Sequence, residues 1–235
     1  VTADACFAGD AIDGFMITAA DGASAGGGLS CTGGTLAVVN CRFQGNRGIW
    51  GGGVSFKNAS ATITNCRFTA NRSDARSQSF VTAGGAAYFM NSSATLTGCS
   101  FVANQAADSD DGSGVGGAVY AYSGTSLTLS DCDFVTNHAS GAGGSVSTES
   151  TPLTVVDCRF TGSTTTASSF SEGGALNCVT ASATLVRCVF KGNSSGSHGG
   201  ALNFRGDLLT CSDSIFSGNS AGYYGGAVKV MGNQP

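Results

Sequence analysis

One phrase recurs along this chain and restricts its fold more than any other feature: Cys-x-Phe-x-x-Asn, a variable stretch, then a Gly-Gly pair. It reads Cys41-Arg42-Phe43-Gln44-Gly45-Asn46 and starts again at Cys66, Cys99 and Cys132, each time with Phe two and Asn five positions on. Cys158 and Cys188 open two further copies, the first with Ser163 in place of Asn. A last copy begins at Ser214, with Phe216 and Asn219. The Gly-Gly pairs end at Gly27, Gly52, Gly85, Gly117, Gly144, Gly174, Gly200 and Gly226, 25 to 33 residues apart. Such a period is the mark of stacked units that bury a core only against their neighbours.

One unit shows how it folds. Val54-Ser55-Phe56 alternates apolar and polar, Lys57 to Ser60 reads as a turn, Ala61-Thr62-Ile63 alternates again, and Cys66-Arg67-Phe68 alternates once more. These are three short strands of period two, each too short to stand alone. Aligned, the copies give apolar columns. One runs Leu29, Val54, Ala87, Val119, Val146, Leu176, Leu202, Val228, and another Val38, Ile63, Leu96, Leu129, Val155, Leu185, Cys211. Cys and Phe supply two more, and the residue between them (Arg42, Arg67, Ser100, Asp133, Arg159) faces out. Gly and β-branched residues throughout exclude helices. The chain is therefore expected to be all-β, a single-stranded parallel β-helix of about eight coils ~4.8 Å apart, with three short strands per coil. Residues 1–235 form one such domain.

Asn65, Gly98, Asp131, Asp157 and Asp213 precede the Cys phrase and suit a left-handed corner. The Asn column is expected to turn inward and bond along the stack, with a weak point at Ser163. All extra length lies between Asn and Gly-Gly, most of it at 72–83 and 105–115, so every excursion falls on one edge of the rod.

Charged residues make up only 11% of the chain, and the 11 Lys and Arg form no basic run at a net charge of −4, which argues against nucleic acid. No apolar run reaches the ~20 residues of a membrane helix. The chain starts at Val1 and both ends fall within a repeat, so it reads as a processed chain or a segment of a longer one. Uncapped repeat ends pair with other chains. The ends are thus expected to be covered by further sequence or by other protein subunits, which are the expected partners there or along the loop edge.

The paired Phe-x-x-Asn and Gly-Gly-Ala motifs resemble the repeats of polymorphic outer membrane proteins, within the right-handed parallel β-helix superfamily typified by pectate lyases. Ile12-Asp13-Gly14-Phe15-Met16-Ile17-Thr18 is also similar to the first coil of many secreted β-helix repeat proteins. The resemblance covers nearly the whole chain. It implies a right-handed coil, an extracellular or cell-surface location, an adhesive or structural role, and glycans or host and cell-surface receptors as partners.

Ten cysteines suit an oxidising compartment, and zinc spacing is absent. Cys6 and Cys31 read as column neighbours one coil apart, as do Cys41 and Cys66, and both pairs are disulfide candidates. The ten-residue spacing of Cys31/Cys41 and Cys178/Cys188 leaves a bridge across one coil open, and buried core thiols are the third arrangement.

Four groups carry candidate chemistry. Glu172, His198 and Tyr224 each precede a Gly-Gly pair on consecutive coils, where Glu172 could orient His198 as a base; the plainer reading is a polar ladder. Asp108, Asp110 and Asp111 lie near glycines in a long loop and offer oxygen ligands to Ca²⁺, the one metal considered, against the reading of a solvated loop. No other cofactor is expected. Tyr88 and Tyr120 share an outward position with Tyr122 near, and Trp50 stands in the column before Gly-Gly; these are the candidate ligand contacts, against an ordinary cross-strand ladder. Asn58 and Asn91 lie in Asn-x-Ser contexts at turns and are candidate glycosylation sites. The leading expectation is a non-enzymatic extracellular structural or adhesive module of a surface protein, filament or appendage. The alternatives are a secreted polysaccharide lyase or hydrolase and a glycan-binding module.

Overall fold

The computed structural model of the chain describes residues 1–7, 9–22, 25–74, 81–107, 114–166 and 171–232. Every strand pairing in it is parallel and joins one coil to the next. Phe68, for example, lies opposite Phe43 in the coil before and Phe101 in the coil after. The molecule is a parallel β-helix. Its first two walls count as one 15-stranded sheet, because Leu29–Val39 and Val54–Thr64 run unbroken from one wall to the other. The segment 57–60, read from sequence as a turn, therefore lies inside a strand, and Asn58 makes the corner within it at φ 52°.

A third wall holds eight strands centred on the Phe column, and a fourth ladder holds seven. That fourth ladder is an addition to the three strands per coil expected from sequence. Its strands, such as Arg47–Gly48 and Arg72–Ser73, are two residues long. Two residues cannot show an alternating pattern, so the sequence carries no sign of them.

Each wall ends at one residue in the left-handed region. Asn40, Asn65, Asp131, Asp157 and Asp213 take this role at φ 51–55°. Arg187 takes it too, although arginine has no preference for this region. Its guanidinium is held in two hydrogen bonds of 2.7 and 2.8 Å by the Asp157 carboxylate in the preceding coil. A second such column, Ala70, Ala103 and Thr136, immediately precedes the Asn column.

The interior is made of the expected columns. Seven Phe rings, from Phe43 to Phe216, stack with centroids 4.6–4.9 Å apart and planes within 6°. Contacts of this kind add ~0.5–1.5 kcal/mol per pair beyond area burial. Six of the rings are fully buried, and Phe216 is partly so.

The Asn column fills the corner beside them. Asn71 donates from its backbone N and its Nδ2 to Asn104 Oδ1, both at 3.0 Å, and Nδ2 also reaches Phe43 O at 2.9 Å. Asn46, Asn104 and Asn193 repeat this pattern.

Ser163, expected to be a weak point, is repaired by a second departure from the repeat. Ser145 stands where most copies have Ala after Gly-Gly, and its hydroxyl lies 2.7 Å from Ser163 Oγ and 3.4 Å from Asn137 Nδ2. Ser163 N still donates to Asn193 Oδ1 at 2.9 Å. The two serines together occupy the place of one asparagine, and both are fully buried.

Ser145→Ala should therefore destabilise the fold by ~1–3 kcal/mol, because it strands a buried hydroxyl. Combined with Ser163→Asn, which rebuilds the ladder, it should cost much less. Chemical denaturation of the two single variants and the double variant measures this coupling. Additive effects would show that the serines act independently.

Candidate functional site: an aromatic groove at the loop edge

The two longest inserts return to the rod at Ala83 and Val115. There they join a column of single bridges running Trp50, Ala83, Val115, Ala142, Glu172, His198, Tyr224. Beside it on the first wall runs an outward column in register: Ser55, Tyr88, Tyr120, Ser147, Asn177, Asn203, Lys229. Together they form a strip along the rod, aromatic over the earlier coils and polar over the later ones.

The aromatic half is a groove of about 380 Å³. Trp50 stacks on Tyr88 at 6.2 Å, Tyr88 on Tyr120 at 6.0 Å, and Tyr120 on Tyr122 at 6.4 Å. Val81, Ala83, Val115 and Glu149 complete the lining. The structure thus brings together Trp50, Tyr88 and Tyr120, the three candidate contacts. Tyr88 and Tyr120 point outward but are only 8% and 9% exposed, because the insert ends fold against them. Trp50 and Tyr122, each 38% exposed, are the open rim.

Polar groups in the groove are few and directed. Tyr120 donates its phenol to Glu149 Oε2 at 3.0 Å, and Trp50 Nε1 donates to Val81 O at 3.3 Å. Burial, then the Glu149 charge, pushes the Tyr120 phenol well above its ordinary value. Burial and Tyr122 raise Tyr88 in the same direction. Glu149 and Val81 escaped the sequence reading, and Val115, which falls in the column of Trp50, was not expected as a groove wall. Glu149 pairs with Tyr122 in the register, so a full column alignment would have exposed it.

In the polar half, Glu172, His198 and Tyr224 do fall on consecutive coils, but Glu172 is engaged elsewhere. Its Oε2 accepts from Asn203 Nδ2 at 3.1 Å, and its Oε1 lies 3.7 Å from Lys229 Nζ. His198 Nδ1 lies 3.2 Å from Ser197 Oγ, and its ring packs on Tyr224 at 5.3 Å. Among the described residues no hydrogen bond or ion pair joins Glu172 to His198, so the acid–base pairing sketched from sequence is not assembled here. The reason is reach: Asn203 and Lys229 sit in the adjacent column on the carboxylate's own side.

The description "right handed beta helix region" matches residues 18–234. The chain belongs to the right-handed β-helix family. No curated protein and no solved structure matches it. Membership accounts for the β-helix frame, while the groove is a feature of this chain's own inserts and columns.

The other candidates find their places on that β-helix. Asn58 and Asn91 are exposed corner residues of adjacent coils, and Asn91 Nδ2 donates to Asn58 Oδ1 at 3.1 Å. Asp108, Asp110 and Asp111 lie outside the described residues, and among the described residues no cluster of three acidic, His or Cys side chains is placed to hold a metal.

Cys41, Cys66, Cys99, Cys132, Cys158 and Cys188 form the inward stack, held as thiols rather than as the Cys41–Cys66 bridge considered from sequence. Each donates to a nearby carbonyl, as Cys41 does to Val39 O at 3.1 Å. The thiol of the next coil and burial raise Cys99 and Cys132 to about 12, and burial raises Cys178 to about 12. Cys31 shares a column with Phe56, Phe89 and Cys178 as expected, but Cys6 does not: it pairs with Gly34, three residues further on. The register is uniform along this pair, from Thr2 opposite Ser30 to Cys6 opposite Gly34, so Ala3 falls in the Cys31 column, and the repeat pattern carries no sign of it.

The raised phenols can be checked directly. In an alkaline titration followed by phenolate absorbance, Tyr120→Phe should leave the amplitude of the transition near the ordinary tyrosine value of about 10 unchanged, and Tyr88→Phe should remove amplitude from its upper end. A drop in that amplitude for Tyr120→Phe would show that this groove tyrosine ionises like an exposed one.

Proposed function

We propose that the chain is a non-enzymatic extracellular β-helix module that adheres to carbohydrate through the groove of Trp50, Tyr88, Tyr120 and Tyr122. The observation that carries this reading is the run of stacked rings across neighbouring coils, with the Glu149 carboxylate at its side. Binding sites of this type combine a concave apolar lining with a few placed polar groups. The apolar face of a pyranose ring packs on an aromatic face, and its hydroxyls need acceptors such as Glu149. Tyr and Trp offer large amphipathic contact area with few rotatable bonds, so little entropy is lost when a ligand docks.

The surrounding frame supports a binding role. Tyr88, Tyr120 and Tyr122 stand on paired strands and Trp50 on a single bridge beside them, and strands place side chains more rigidly than loops do. Low charge, abundant Ser, Thr and Asn, and the exposed Asn58 and Asn91 sequons fit a secreted or surface setting.

Trp50 is the single tryptophan of the chain, so its fluorescence reports on the groove alone. Titration with a panel of neutral and acidic oligosaccharides should shift that emission for at least one member. Tyr88→Ala and Tyr120→Ala should weaken binding at least about tenfold, on the order of 1.4 kcal/mol. Tyr122→Ala, on the exposed rim, tests the groove without a buried cavity, and Arg159→Ala on another wall serves as control. An unresponsive panel, or equal affinity across all variants by calorimetry, sinks the proposal.

A further inference from the structure

Cys6 and Cys31 meet outside the column of stacked thiols that runs through the interior. Those thiols lean onto carbonyls of their own or the preceding coil, such as Cys66 Sγ on Thr64 O at 3.3 Å and Cys132 Sγ on Ser130 O at 3.2 Å. Cys6 Sγ lies 3.3 Å from Cys31 Sγ, which also reaches Gly33 O at 3.7 Å, and both side chains are buried. A disulfide bond is ~2.05 Å long, so little more than about 1 Å of approach separates contact from closure.

The backbone explains how residues from different register positions meet. Ala3 lies opposite Cys31 and Cys6 opposite Gly34, an offset that would hold the two cysteines apart on flat neighbouring strands. Gly33 and Gly34 have φ of 74° and 77° and turn the second strand between those positions. A Cβ on Gly34 would sit 1.7 Å from Cys6 O, so the close approach of this segment requires glycine. Two thiols thus converge inside a corner fixed by backbone shape.

The site is also one where a covalent link has work to do. Thr2–Cys6 pairs with Leu29–Val39 and, among the described residues, with no second strand. Inner coils are held from both sides. A crosslink across that single pairing stabilises the segment by restricting its open states.

We propose that Cys6 and Cys31 are a disulfide site that staples the first strand to the stack under oxidising conditions. The oxidant is a small disulfide such as oxidised glutathione. One cysteine thiolate attacks its S–S bond, forming a mixed disulfide and releasing one glutathione thiolate. The other cysteine, deprotonated, attacks the protein sulfur of that mixed disulfide, forming the Cys6–Cys31 bond and releasing the second. Two protein thiols lose two protons and two electrons, and one glutathione disulfide becomes two glutathione thiols.

The test uses the intact chain folded in a glutathione buffer, denatured, and alkylated. Mass spectrometry should find eight of the ten cysteines alkylated. Cleavage before aspartate separates Cys6 from Cys31 at Asp10, Asp13 and Asp21, so fragment sequencing identifies the linked pair. Reduction should lower the thermal midpoint of the wild type but leave that of Cys6→Ser unchanged. Cys41→Ser should keep the link. Alkylation of all ten cysteines, or Cys6 joined to any residue other than Cys31, overturns the proposal.

Discussion

The buried asparagine amide is the interaction on which this rod depends. A coil that turns inside a packed stack leaves backbone N–H and carbonyl groups at the corner, where water cannot reach them. Leaving such a group unpaired costs ~1–3 kcal/mol. Each Asn of the ladder answers this with one side chain. Asn71 Oδ1 accepts two bonds from Asn46, while Asn71 N and Nδ2 donate to Asn104 and Nδ2 also reaches Phe43 O. One residue thus ties three coils, and its donors and acceptor are all used. Leucine at this position could fill the volume but not the bonds. The strained Ala70, Ala103 and Thr136 that precede the ladder are tolerated because the next residue is so firmly held.

That anchoring also decides where the molecule can vary. Inserts begin just past the pinned Asn and end at Gly-Gly, the other fixed point. A Cβ on Gly85 would meet Gly117 O at 2.2 Å, and one on Gly117 would meet Gly144 O at 2.1 Å, so successive coils pass in backbone contact there. Between two clamps the chain is free to lengthen, and the ends of the longest excursions, at Val81 and Val115, become walls of the groove.

What the sequence disclosed follows from the same contrast. Val38, Ile63, Leu96 and Leu129 repeat a constraint once per coil, so the columns, the three main walls and the insert edge were legible, while the two-residue strands of the fourth ladder were too short to show a pattern. Features that occur once were not. Ser145 and Ser163 look like two separate lapses until their hydroxyls are seen 2.7 Å apart. The first strand sets Ala3 opposite Cys31 and so leaves Cys6 outside the column its spacing suggests. Register placed Glu172 beside His198, but register fixes where a side chain starts and not where it ends. Asn203 and Lys229 decided that. The groove lay between these cases: Trp50, Tyr88 and Tyr120 were visible as columns, while Glu149 needed the next coil's strand aligned with Tyr122.

The groove and the core are consequences of one geometry. Stacked coils put like residues ~4.8 Å apart, inside as the Phe column and outside as Tyr88 and Tyr120, with Trp50 on the column beside them. Inside, the spacing gives dense packing. Outside, it gives a row of rings whose orientations are set by their neighbours before any ligand arrives. A surface held in its binding shape by the fold loses little freedom on binding, which is the main cost that separates buried area from affinity. Its preorganisation is therefore inherited from the ladder beneath: shifting one coil's register would separate Tyr88 from Tyr120 as surely as it would separate Asn71 from Asn104. The repeat that first looked like pure scaffold is what gives the outer face its definition.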